Sequence, residues 1–129
     1  MIKQKVAFVC VHNSCRSQIA EAFCKIYRKE YEAYSAGTEV KSHLNEDAVR
    51  IMKDFYNIDI SMQYSKLLKD IPDCDIYISM GCNGGCTFVE KGFNDNFNIE
   101  DPTGKSDEEF IKVIEEIKRK VVNFKEKTK

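Results

Sequence analysis

The sequence lacks any excess of charge of one sign: 20 Lys and Arg stand against 21 Asp and Glu, a formal net charge of −1, and no basic block dominates a segment. Binding to nucleic acid or to an anionic membrane needs a concentrated cationic surface, so neither partner is expected, and the ligand should be small or a protein. Long apolar runs are missing too. The apolar run that leads into Cys10 is only four residues long, Val6 to Val9, too short for a signal-peptide core or a membrane span, which predicts a cytoplasmic protein. Linkers, repeats and low-complexity tracts are absent as well. The 129 residues are therefore read as one domain, 1–129, long enough to bury a core without staples. Six cysteines without an export signal favour reactive or metal-binding thiols over a disulfide framework.

What is present alternates in period. Val6–Val9 and Ile76–Met80 are short unbroken apolar runs, each halting at a loop that bears Cys or Gly, as strands buried on both faces of a parallel sheet do. Tyr34–Gly37 reads as a further short strand and Phe97–Ile99 as a fourth. Ile19, Phe23, Ile26 and Tyr27 share one helical face, and Ala48, Met52 and Phe55 share another. Asn45 reads as an N-cap, with Leu44 and Val49 spaced as a hydrophobic staple. Ser106 to Glu109 spells a capping box, followed by Phe110, Ile114, Ile117, Val121 and Phe124 on one stripe. The alternation predicts an open α/β domain, whose ligands bind beyond the carboxyl ends of the strands. Cys10 and Cys82 each follow a strand, so both thiols are expected on one sheet edge.

The segment Cys10-Val11-His12-Asn13-Ser14-Cys15-Arg16-Ser17 runs from a strand into a helix start, where backbone N–H groups and the helix dipole favour an anion. A helix N-terminus and a nearby guanidinium favour the thiolate, the nucleophilic form of cysteine, and Cys10 meets both conditions. Arg16 offers a planar fork suited to two oxygens of a tetrahedral oxyanion, and Ser17 can donate to the thiolate. The loop residues 11–17 are thus the expected oxyanion cradle, with Cys10 as nucleophile. A departing oxygen needs a proton, and Asp101, before Pro102, is the candidate acid, a plain Asp-Pro turn being the alternative that only the family resemblance below weighs against. His12 is read as an exposed loop residue with proton transfer as the alternative.

Cys82-Asn83-Gly84-Gly85-Cys86 allows a bend that brings two thiols to disulfide distance. A redox pair is the leading reading; buried inert thiols, half a zinc site and a plain Asn-Gly turn remain alternatives. Zinc would need two more ligands, and His12, His43, Cys24 and Cys74 show no finger-like spacing, so no metal is expected. Cys24 and Cys74 read as structural, and Cys15 as a space-filler within oxidation reach of Cys10.

The run Val-Cys-Val-His-Asn-Ser-Cys-Arg-Ser-Gln-Ile-Ala-Glu-Ala from Val9, Tyr-Ser-Ala-Gly from Tyr34, Gly-Cys-Asn with a second Cys from Gly81, and Glu-Asp-Pro-Thr-Gly from Glu100 resemble the thioredoxin-coupled arsenate reductases, which share the fold of low-molecular-weight protein tyrosine phosphatases. The resemblance implies a four-stranded parallel sheet flanked by helices in an open three-layer arrangement. It implies that Cys10 attacks arsenate, that Arg16 and the loop amides hold its oxygens, and that Asp101 protonates the leaving hydroxide. Cys82 would then attack Cys10 and release arsenite, and Cys86 would take over to leave a Cys82–Cys86 disulfide for thioredoxin, the external reductant. No bound cofactor is implied, and a monomer is expected. Asn13, Ser17, Glu21, Ser35 and Lys66 would support the loop.

The chain departs from the family pattern at three places. His12 stands where the phosphatases and several reductases carry Gly, which predicts strain and a positive φ there. The gap from Cys82 to Cys86 is shorter than in the best-known members. Lys66 stands where some members carry an acid with which they bind potassium, so the lysine is expected to substitute for the ion, pairing with Glu21 and bonding toward Asn13, with a solvated surface lysine as the equal alternative. The alternative activity is phosphatase, through a Cys10-phosphate intermediate. Against it stand the Cys82/Cys86 pair and Thr103, where the phosphatases usually carry aromatic residues.

Overall fold

The computed structural model describes residues 3–81 and 92–125. Four parallel strands, β1 (Gln4–Cys10), β2 (Tyr31–Gly37), β3 (Ile76–Ser79) and β4 (Asp95–Asn96), lie in the order β2-β1-β3-β4. Three helices flank them: α1 (Arg16–Tyr27), α2 (Glu46–Tyr56) and α3 (Asp107–Asn123). No helix among the described residues is long and apolar enough to cross a membrane.

β1 is central, and its apolar run is continuous because both its faces are covered. Val6, Phe8 and Cys10 face the main core with Ile19, Phe23, Ile51, Met52, Ile114 and Ile117. Ala7 and Val9 face a smaller cluster with Cys74 and Tyr77, against which Leu68 and Ile71 pack. The α3 stripe is buried along its whole length, from Phe110 to Phe124. The caps form where the sequence places them: Asn45 accepts from the Ala48 amide at 3.0 Å and Ser106 from the Glu109 amide at 3.3 Å. Arg28 closes the other end of α3, donating to the carbonyls of Val121 and Phe124 at 3.0 and 2.7 Å with its guanidinium over the Phe124 ring.

Two expectations need correction. The fourth strand is Asp95–Asn96 rather than Phe97–Ile99. Phe97 and Ile99 still donate to the Ser79 and Met80 carbonyls at 2.8 and 3.0 Å, but Asn98 turns left-handed between them, φ 51°, and interrupts the ladder. The apolar faces of α1 and α2 also overshoot: Ile26, Tyr27 and Phe55 are 40%, 47% and 58% exposed. Periodicity identifies a helix face, but the last turns of both helices run past the elements that would cover them.

Candidate active site

β1 ends at Cys10 and α1 begins at Arg16, so the five residues between them form a loop at the carboxyl edge of the sheet. This loop is fixed from three sides. Gly37, at the end of β2, lies so close that a Cβ there would stand 2.7 Å from the Val11 carbonyl oxygen and 2.9 Å from the Asn13 amide nitrogen, which only glycine avoids. The amides of Thr38 and Glu39 donate to the Val11 carbonyl at 2.8 and 2.9 Å, and that of Asn45 to Ser14 at 2.8 Å. From the third side Ser65 Oγ donates to the His12 carbonyl at 2.8 Å and the Lys66 amide to Asn13 Oδ1 at 2.9 Å.

The left-handed residue of the loop is Asn13, φ 50°, and not His12. Asparagine tolerates that conformation better than most residues, so the histidine carries no such strain. Fully buried, Asn13 donates from Nδ2 to Ser17 Oγ at 2.7 Å, and Ser17 Oγ stands 2.9 Å from Cys10 Sγ. With its oxygen engaged by Asn13, the Ser17 hydroxyl has its proton to offer the sulfur, the arrangement that favours a thiolate. Gln18 is buried behind the loop and donates to the Asn13 carbonyl, to Asn13 Oδ1 and to the Tyr64 carbonyl at 2.9, 3.0 and 2.8 Å.

Arg16 is anchored across the sheet edge. Nη1 donates to the carbonyls of Ile99 and Met80 at 2.8 and 3.2 Å, and more weakly to Gly81 at 3.4 Å. These contacts join the cradle to the end of β3 and to the segment leading to Asp101. Asp101 Oδ1 accepts from the Thr103 amide and hydroxyl at 3.1 and 2.7 Å. Burial pushes its carboxyl up, but the Thr103 bonds and the charges of Arg16 and His12 outweigh this and hold it below the usual range. The free protein therefore carries Asp101 ionised at neutral pH. A general acid must be protonated when it acts, so that role would require the carboxyl to take up a proton as a dianion arrives.

His12 is half-exposed, and its Nε2 lies 2.9 Å from Glu39 Oε2. Cys15 is buried in the loop; burial, followed by the charge of Cys10, pushes its thiol far up. Burial likewise pushes Cys24 up to about 12, which disfavours its thiolate, and Cys74 is buried beside Tyr77. Cys82 and Cys86 lie outside the described residues.

Beneath the loop, Glu21 Oε1 accepts from Ser35 Oγ at 2.5 Å and lies 3.6 Å from Lys66 Nζ, while Lys25 pairs with Oε2 at 2.5 Å. The Lys66 and Glu21 side chains are only 10% and 6% exposed. Burial pushes the Lys66 ammonium down and Glu21 pulls it back up, with a net lowering. The ammonium donates to the Tyr64 carbonyl at 3.1 Å and to Ser35 Oγ at 3.4 Å, while the bond to Asn13 comes from the Lys66 backbone. A cation already holds the place beside Glu21, so these residues do not fit a potassium ion.

Gly37, Gln18, Ser65 and Glu39 were not legible as loop supports. Each acts through a long-range contact that no local pattern announces, although Gly37 does end the Tyr-Ser-Ala-Gly run.

The sequence model of low molecular weight phosphotyrosine protein phosphatase matches residues 5–129. The chain belongs to that family. Within it, the chain is 34% identical over 131 residues to an arsenate reductase of Staphylococcus xylosus, covering 97% of this chain and 98% of the relative. It is 35% identical over 134 residues to an arsenate reductase of Staphylococcus aureus strain Newman, with the same coverage. Among solved structures it is similar to an arsenate reductase in the phosphate binding state, with a TM-score of 0.79 and 35% identity over 92% of this chain and 93% of that one. A low molecular weight protein tyrosine phosphatase from T. tengcongensis superposes with a TM-score of 0.74 and 28% identity over 92% of this chain and 95% of that one. The family's enzymes thus include both reductase and phosphatase, built on this one fold.

Proposed function

We propose that the protein reduces arsenate to arsenite. The observation that carries this reading is the Cys10–Ser17–Asn13 chain beside an anchored Arg16, in a protein that also holds two cysteines just after β3. The Cys10 thiolate attacks arsenic while Arg16 and the loop amides take the oxygens, and Asp101 gives the departing hydroxide its proton, so that water leaves. Cys82 then attacks Cys10 sulfur. The S–As electron pair stays on arsenic, which leaves as arsenite, and a Cys10–Cys82 disulfide remains. Cys86 attacks Cys82, freeing Cys10, and the Cys82–Cys86 disulfide passes to thioredoxin. One dithiol supplies the two electrons that the reduction consumes. The relay is supported by Gly81, next to Cys82, whose carbonyl reaches Arg16. The reaction needs a reducing compartment, so the protein is placed in the cytoplasm, acting as a monomer.

The direct test supplies arsenate, thioredoxin, thioredoxin reductase and NADPH and follows NADPH loss. Turnover only with all components supports the reading; hydrolysis of aryl phosphate with no arsenate-dependent NADPH loss returns the protein to the phosphatases. Asp101→Asn should lower kcat for arsenate by about 10²-fold, the usual worth of a positioned acid. An unchanged kcat removes Asp101 from the step.

Lys66 takes the role that potassium fills in some members. Lys66→Ala leaves the buried Glu21 carboxylate with Lys25 as its one cation beside the Ser35 hydroxyl and should cost about 2–4 kcal/mol, read as a fall of several degrees in Tm. Exchanging sodium for potassium at fixed ionic strength should leave the parent's activity unchanged. Potassium stimulation of the parent, or an unshifted Lys66→Ala variant, contradicts the assignment.

A further inference from the structure

A cavity of about 720 Å³ runs along the edge strand β2, from Lys3 and Tyr31 at the start of the strands to Lys66 near their carboxyl end. Four lysines, Lys3, Lys25, Lys29 and Lys66, are among its lining residues, against two acids, Glu21 and Glu32. Both acids are already engaged. Glu21 is shared by Ser35, Lys25 and Lys66, and Glu32 lies 3.9 Å from Lys5. Among the described residues Lys3 and Lys29 have no ion-pair partner, and both are exposed. The groove therefore gathers more positive than negative charge, with the tyrosines at 31, 34 and 64 beside it.

The inner end of this cavity is joined to the nucleophile by a chain of contacts. Lys66 Nζ faces Glu21, and the Lys66 amide holds Asn13 Oδ1. Asn13 holds Ser17 Oγ, which stands beside Cys10 Sγ. We propose that this groove is a second anion site, for a ligand bearing several phosphate charges, and that its occupation is transmitted to Cys10. An anion there competes with Glu21 for Lys25 and Lys66. Once Lys66 is drawn outward, its backbone loosens its hold on Asn13, and the Ser17 hydroxyl is no longer fixed against the sulfur. The effect is inhibitory.

The cradle also binds anions, so the test is run on the full chain carrying Arg16→Ala, which disables the cradle's guanidinium. Tripolyphosphate is titrated calorimetrically, and the rate of Cys10 alkylation by iodoacetamide is read by mass spectrometry of the Cys10 peptide. Neither readout depends on arsenate turnover, so failure here is distinct from failure of the reductase reading. Binding should persist in this background and weaken by about tenfold or more when Lys3→Gln and Lys29→Gln are added, two exposed changes that break no ion pair. Saturating tripolyphosphate should slow Cys10 alkylation by about fivefold, and the two glutamines should abolish that slowing. ATP as a second probe separates the sources: tighter binding than tripolyphosphate marks a nucleotide seated against the tyrosines, and weaker binding marks an inorganic polyphosphate. Binding that is indifferent to Lys3 and Lys29 overturns the site, and an unchanged alkylation rate at saturation overturns the coupling.

Discussion

Cys10→Ser is expected to remove arsenate reduction and aryl-phosphate hydrolysis together, each by at least about a thousandfold. Both reactions begin with attack by the same atom. A serine hydroxyl stays protonated at neutral pH, and among the described residues no general base is hydrogen-bonded to the position 10 side chain: the described neighbour of Sγ is the Ser17 hydroxyl at 2.9 Å, a donor that steadies a thiolate but cannot take a proton from an alcohol. The loop itself should survive, because its shape is held by Gly37, Ser65, Gln18 and Lys66, none of which bonds through the Cys10 side chain. Phosphate binding, followed by calorimetry, should therefore be retained while turnover is lost. Loss of both would show that Cys10 shapes the cradle. Retained turnover of either substrate would remove it as nucleophile.

This separation of shape from chemistry also determines which features the sequence alone reveals. The apolar run of β1 is buried on both faces and the α3 stripe lies on one, so burial wrote both elements into local pattern. The Cys10 to Ser17 loop was legible because its chemistry demands certain residue types at a fixed spacing between a strand and a helix. Supports such as Ser65 were not, because Ser65 reaches it from more than fifty residues away, and Lys66, equally distant, is expected only through the family resemblance. Tertiary closure creates those contacts, and a single side chain carries each. The misplaced positive φ has the same origin. His12 is the departure from glycine, but the backbone turns at Asn13, whose side chain the buried Ser17 and the Lys66 amide hold in place. The fourth strand slipped because Phe97 and Ile99 carry the apolar signal, while the ladder is assigned to polar Asp95 and Asn96 before them.

Cys82→Ser and Cys86→Ser should each stop multiple turnover with arsenate while leaving aryl-phosphate hydrolysis within about twofold of the parent. A Cys10-phosphate intermediate needs only water for its release. The arsenic adduct differs, because leaving as arsenite requires a second thiol to take over the sulfur and leave an electron pair on arsenic. Without Cys82 the cycle halts after the first attack. Without Cys86 it halts at the Cys10–Cys82 disulfide, one arsenite per protein having been released, so a single-turnover burst distinguishes the two variants. In the parent, peptide mapping after one turnover without reductant should find Cys82 joined to Cys86. The buried Cys15 is the competitor, since it lies in the same loop as Cys10, but its thiol is held far above the range in which it ionises. A Cys10–Cys15 product, or parental rates from both serine variants, would show that the relay runs through other thiols.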